Sequence, residues 1–146
     1  MPVRVQTEDF DLSAEIAQLR ARRPSPGAIA CFIGVVRDFS DGQPVSAMEL
    51  EHYPGMTERS LEAIADDAMQ RWPGIDVLIV HRVGKLRAQE QIVLVATTAA
   101  HRGAAFASCE FVMDRLKTQA PFWKKETTPQ GERWVKARAE DQSSFS

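Results

Sequence analysis

Two apolar runs, "IDVLIVHRVG" at Ile75–Gly84 and "EQIVLVATTAA" at Glu90–Ala100, are separated only by "KLRAQ". That short gap limits what the chain can become. Both runs are rich in branched residues and read as strands. A parallel pair needs a crossover connection of a dozen residues or more, so strands this close in sequence pair antiparallel. Other runs extend the theme. "AIACFIGVVRD" predicts a strand from Ala28 to about Arg37, buried on both faces for most of its length. "DFSDGQP" supplies Asp41-Gly42 and Pro44 for a chain reversal or mobile loop. "VSAMELEHY" alternates, with Met48, Leu50 and His52 on one side and Glu49, Glu51 and Tyr53 on the other, and it forms a candidate hairpin with the strand before it.

Helices separate these strands. Ser13–Arg23 is expected to be helical, capped by Ser13, with Ile16 and Leu19 three apart, and it stops at "RRPSPG". In "PGMTERSLEAIADDAMQRWPG", Thr57 is a candidate cap and Leu61, Ile64, Ala65, Ala68 and Met69 repeat at helical spacing until Pro73-Gly74. A longer helix is expected from Arg102 to Thr118, with Ala105, Cys109, Val112 and Leu116 as its apolar stripe. After Pro121, "FWKKETT" reads as extended, "PQGE" as a turn and "RWVKARA" as a short closing element. Strand pairs separated by helices predict an α+β fold, a single domain over residues 1–140 with a mainly antiparallel sheet and packed helices. The polar end "EDQSSFS", with residues 141–146, is expected to be a disordered tail.

Charge and cysteine content exclude several functions. With 146 residues, 44% of them apolar, the chain can bury a real core without staples. Eighteen basic against twenty acidic residues leave a formal charge of -2, so no global field draws it to nucleic acid or anionic lipid. Cys31 and Cys109 match no metal or redox spacing and are expected to be buried free thiols. His52 and His81 have no Cys or carboxylate partner at ligand spacing, so neither a metal site nor a bound cofactor is expected. No phosphate loop, dinucleotide fingerprint or nucleophile elbow is present. The first residues carry charges where a secretory signal needs an apolar run, and no window has the length of a membrane span, which predicts a cytoplasmic protein.

The stretch "KTQAPFWKKE", Lys117–Glu126, concentrates the reactive side chains. Met113 and Lys117 fall one helical turn apart, so Lys117 is carried on the end of a rigid element. A lysine there also complements the helix dipole, which by itself requires no function. Lys124 and Lys125 alternate sides of an extended segment, so one of them can face Lys117. Two lysines in a partly dry pocket lower each other's pKa, which suits an amine to acid, base or nucleophile work. On residue chemistry alone the stretch stays open between an active site and a core edge flanked by solvated lysines. Arg37 ends a strand beside the "DFSDGQP" loop, where a guanidinium can fork onto phosphate. "AHRG" sets His101 and Arg102 at a helix start whose free N–H groups favour an anion, although a plain capping turn fits equally well. Arg102 and Lys117 are separated by roughly 22 Å of helix and hardly reach one small ligand, so a site using both needs a second copy of the chain.

"LEHYPGM" at Leu50–Met56, "AHRGAAF" at Ala100–Phe106 and "MDRLKTQAPFWKKE" at Met113–Glu126, in this order, closely resemble the large catalytic subunit of molybdopterin synthase. The likeness runs from "FIGVVRD" to "RWVKAR". It implies an α/β hammerhead fold and a homodimer flanked by two copies of a small ubiquitin-like subunit. The C-terminal Gly-Gly thiocarboxylate of that partner gives sulfur to cyclic pyranopterin monophosphate, building the dithiolene of molybdopterin. Carried over by motif, Lys117 and Lys124 are the catalytic lysines of this sulfurtransferase, and Arg37, His101 and Arg102 bind the anionic substrate. Phe32 and Met113 line the pocket, Arg138 assists from the far end, and Phe122 and Trp123 wall a slot for the partner's tail. Two rivals stand beside this reading. One is a non-catalytic dimeric scaffold for a ubiquitin-like partner, which the chemically competent residue at every presumed catalytic position disfavours. The other is a single-stranded nucleic-acid binder stacking bases on Phe122 and Trp123, which the negative net charge disfavours.

Overall fold

The computed structural model describes residues 2–22, 26–40 and 42–135; Arg138 and the tail at 141–146 lie outside the described residues. In chain order the elements are β1 (Val3–Gln6), α1 (Leu12–Arg22), β2 (Ala28–Val35), β3 (Phe39–Ser40), β4 (Gln43–Pro44), β5 (Ala47–His52), α2 (Met56–Arg71), β6 (Asp76–Arg82), β7 (Gly84–Arg87), β8 (Gln91–Ala99), α3 (Arg102–Gln119), β9 (Phe122–Thr128) and β10 (Gly131–Val135). The fold is α+β, as the spacing of the strands predicts.

One sheet has the order β1-β6-β8-β2. Its centre is the antiparallel pair of β6 and β8, with Val77 opposite Thr97 and Ile79 opposite Val95, as the short "KLRAQ" gap requires. Every residue of β6 is buried, and its alternate side chains feed two different cores. Val77 and Ile79 join Val93, Val95, Leu61, Ile64, Val112 and Leu116 beneath α2 and α3. Leu78, Val80, Leu94 and Ala96 pack instead with Leu19 of α1. A helix layer therefore covers each face of this sheet, and each fully buried Val, Leu or Ile contributes about 1.5–3 kcal/mol. The second sheet, β10-β9-β5-β7, is antiparallel throughout and packs Met48, Leu50, Val83, Leu86 and Val36 into a third core. No described helix is long and apolar enough to cross a membrane.

Several expectations change. β1 has no counterpart in the sequence pattern: four residues, Val3–Gln6, pair in parallel with β6 and close one edge of the sheet. β2 is not buried on both faces, because it forms the opposite edge, with Phe32 40% and Val35 44% exposed. Cys31 is exposed for the same reason, whereas Cys109 is buried, and burial together with the nearby Cys31 pushes its thiol up to about 11. The candidate hairpin between β2 and β5 does not form. β2 pairs with β8, β5 pairs with β7 and β9 in the other sheet, and the reversal at Gly42 closes only the two-residue strands β3 and β4. α1 is capped by Asp11, whose Oδ1 accepts the Ala14 N–H at 3.2 Å, in place of Ser13. α2 starts at Met56 behind Gly55, whose φ of 85° lies in the left-handed region that favours glycine. The Glu58 carboxylate accepts the Gly55 N–H at 2.8 Å.

Candidate active site

α3 ends where the chain chemistry says it must. Pro121 has no N–H to continue the helix and disfavours helical backbone at the residue before it, and Ala120 is extended at φ -85°, ψ 129°. The joint is held from the side by Thr57, a fully buried residue of α2's first turn. Its hydroxyl donates to the Pro121 carbonyl at 3.3 Å and accepts the Tyr53 N–H at 3.1 Å. Thr57 thus acts as a tie between two motifs, "HYPGMT" and "KTQAPFW", instead of the helix cap expected of it.

β9 then runs beside β5, with His52 opposite Phe122, Leu50 opposite Lys124 and Met48 opposite Glu126. Strand alternation puts Phe122, Lys124 and Glu126 on one face and Trp123 and Lys125 on the other. The first face lines a cavity of about 440 Å³, shared with Lys117, Met113 and Leu116 of α3, Phe32 and Gly34 of β2, Arg37 just beyond it, and His81 at the end of β6. Each element therefore enters by its end: the last turn of α3, the start of β9, and the final residues of β2 and β6. Lys125, on the outer face, lies 3.8 Å from Glu49 and 3.5 Å from Glu132, with its ammonium 5.4 Å from the centre of the Trp134 ring. Lys124 is therefore the lysine on the same cavity as Lys117.

Two cavity residues carry chemistry that their sequence positions did not advertise. Glu126 is buried and holds Arg133 of β10 through one oxygen, at 3.1 and 3.3 Å. His81, 6% exposed, lies on the same face of β6 as Val77 and Ile79. Its Nδ1 donates to the Arg82 carbonyl at 2.8 Å, and its ring stacks on Phe122 with centroids 3.8 Å apart and planes 16° from parallel. Burial pushes its pKa down to about 4, and the charges of Lys124, His52 and Lys117 add to that effect against the Arg82 hydrogen bond. The imidazole is neutral at pH 7. The available signal was a polar residue on the inward-facing alternation of "DVLIVHR", and for Glu126 its position two residues after Lys124.

The remaining expected site residues lie elsewhere. His101 and Arg102 stand exposed at the N-terminal end of α3, where His101 makes no side-chain cap, and neither reaches the cavity. Trp123 stands edge-on to Tyr53 at 4.7 Å and lines a separate surface hollow with Tyr53, His52, Glu51 and Trp134. The expected slot walled jointly by Phe122 and Trp123 is thus corrected, because neighbouring residues on a strand face opposite ways. Arg138 is outside the described residues.

Comparison with known proteins decides the lineage: the family described as MoaE protein matches residues 5–119. The chain belongs to the MoaE family. A relative from Ralstonia nicotianae named molybdopterin synthase catalytic subunit is 66% identical over 140 residues, which cover 96% of this chain and 80% of that one. The solved MoaE structure from Burkholderia ambifaria is 68% identical with a TM-score of 0.85, covering 98% of this chain and 94% of its own. The molybdopterin synthase structure from Staphylococcus aureus, 32% identical, superposes with a TM-score of 0.82 over 90% of this chain and 95% of its own. Within the MoaE family frame, Phe32, Arg37, Met113, Lys117 and Lys124 all line one cavity of this chain.

Proposed function

We propose that the chain is the catalytic subunit of a molybdopterin synthase, a sulfurtransferase that moves sulfur from the C-terminal thiocarboxylate of a small ubiquitin-like partner to cyclic pyranopterin monophosphate. The observation that carries this reading is the convergence of Lys117 and Lys124, from a helix end and a strand start, on one cavity with Arg37 at its side. In the reaction the thiocarboxylate sulfur forms a bond to a side-chain carbon of the substrate, and the oxygen it displaces leaves with its electron pair. Water then cleaves the resulting thioester, returning a carboxylate to the partner and leaving the thiolate on the product. A second transfer completes the dithiolene. Anionic charge builds on the leaving oxygen and on the thioester's tetrahedral intermediate, and fixed cations stabilise it in a partly apolar site. Lys117 serves as acid and base, Lys124 as its electrostatic partner, and Arg37 holds the phosphate. Phe32 and Met113 fix the plane of the ring between apolar surfaces, and Phe122 lines the path of the partner's tail.

His101 and Arg102 contribute from a second copy of the chain, since roughly 22 Å of helix separates Arg102 from Lys117. The working assembly is then a homodimer carrying two small subunits, a heterotetramer, with Arg138 a further anion contact. Its setting is the cytoplasm, in keeping with two cysteines that remain free thiols. The test is reconstitution from purified parts: this chain, a thiocarboxylated small subunit and cyclic pyranopterin monophosphate. Dithiolene product supports the reading. Tight binding of the small subunit with no product would establish the scaffold alternative instead.

A further inference from the structure

The cavity's polar side chains divide unevenly. Arg37, Lys117 and Lys124 have only donors to offer, and Glu126 commits one oxygen to Arg133. His81 is different. A carbonyl only accepts, so the 2.8 Å contact of Nδ1 with the Arg82 carbonyl requires the proton on Nδ1 and leaves Nε2 a bare lone pair. The stack on Phe122 fixes the ring plane, and Phe122 lies on the β9 face that also carries Lys124. The result is an uncharged acceptor, rigidly oriented, on the wall of a cavity otherwise supplied with cations.

We infer that His81 is a specificity-determining residue, whose Nε2 accepts a hydrogen bond from a ring N–H of the substrate while the cationic side chains hold its phosphate. The inference rests on the proposed substrate, a cyclic phosphate monoanion joined to an N–H-bearing heterocycle. A site of cations alone would take any phosphate of the right size. An oriented neutral acceptor rejects those without a donor, because a buried acceptor left unpaired costs more than a mismatched apolar contact. The charges facing the ring, Lys124, His52 and Lys117, all oppose its protonation, so it stays an acceptor through the physiological range.

Two substitutions separate acceptor from packing. His81→Phe keeps an aromatic ring against Phe122 and loses the lone pair; His81→Gln loses the ring and places an amide oxygen near the Nε2 position. Binding of cyclic pyranopterin monophosphate to the partner-bound complex is expected to weaken about tenfold or more in His81→Phe and to stay within a few-fold of wild type in His81→Gln. Independently of any variant, the wild-type His81 Nε2 nitrogen resonance is expected to move upfield when this ligand binds. Unaltered affinity in His81→Phe, a loss in His81→Gln as large as in His81→Phe, or an unmoved resonance on binding would each overturn the inference. Should His81→Phe fail to fold, the wild-type resonance decides. If the wild-type complex does not bind the ligand at all, it is the proposed function that fails, and the inference with it.

Discussion

The two ends of α3 present the same kind of charge under opposite conditions. At its start, Arg102 and His101 stand in solvent around backbone N–H groups that favour an anion. At its finish, Lys117 borders a cavity walled by Met113, Leu116, Phe122, His81 and β2. The buried stripe between them, Ala105, Cys109, Val112 and Leu116, docks the helix on the β6–β8 sheet and fixes their separation. A charge beside apolar walls acts through a lower effective dielectric than one surrounded by water and salt, so Lys117 acts more strongly on a bound charge than Arg102 does at the open end. The open end needs another surface placed against it before Arg102 can discriminate.

That contrast can be broken from either side. The largest effect on stability is expected at the cavity end. His81 in the folded chain titrates at about 4 against an ordinary 6.5, so the unfolded chain takes up a proton first as the pH falls. Stability is therefore lost across the window from pH 6.5 down to 4, by on the order of 3 kcal/mol, and fully retained above it. Denaturant titrations of wild type and His81→Phe across that window should differ in slope, the variant lacking this contribution. At the open end, Arg102→Ala is expected to reduce sulfur transfer about ten- to a hundredfold with no loss of melting temperature. Mixing it with Lys117→Ala chains should restore activity in hybrid dimers, each of which contains one site with both residues intact. Failure to complement would mean that the two ends do not share a site.

Smaller effects sharpen the account of how the cavity is assembled. Thr57→Val removes the tie to the Pro121 carbonyl and leaves the Tyr53 N–H without its partner; a loss of about 1 kcal/mol in chemical denaturation is expected. Cys31, exposed on the β2 edge, belongs to neither end. Cys31→Ser should leave single-turnover sulfur transfer unchanged, because in the proposed reaction the sulfur arrives on the partner.

Much of this was legible in the residues. The β6–β8 pairing followed from a gap too short for a crossover, and the α3 stripe from helical spacing. The lysine facing Lys117 had to be one of two alternating neighbours, and the register of β9 with β5 selects Lys124. What stayed hidden depends on contacts distant in sequence. Val3–Gln6 has no strong pattern of its own and becomes a strand because β6 offers a free edge. β2 carries the apolar run of a central strand, yet it lies at an edge with Phe32 and Val35 exposed, since nothing in its own sequence states where the sheet stops. His81 looked like a strand histidine without partners. Its role emerges only once β9, from another sheet, lays Phe122 across its ring.

By this reading sulfur is transferred in the cavity shared by Lys117 and Lys124. Its most direct test is single-turnover dithiolene formation with thiocarboxylated small subunit and cyclic pyranopterin monophosphate, comparing wild type with Lys117→Ala. A fall of about 10²–10⁴-fold in the variant, with its melting temperature preserved, is the expected result for loss of a positioned acid–base group. Product formation undiminished by the substitution would contradict the account.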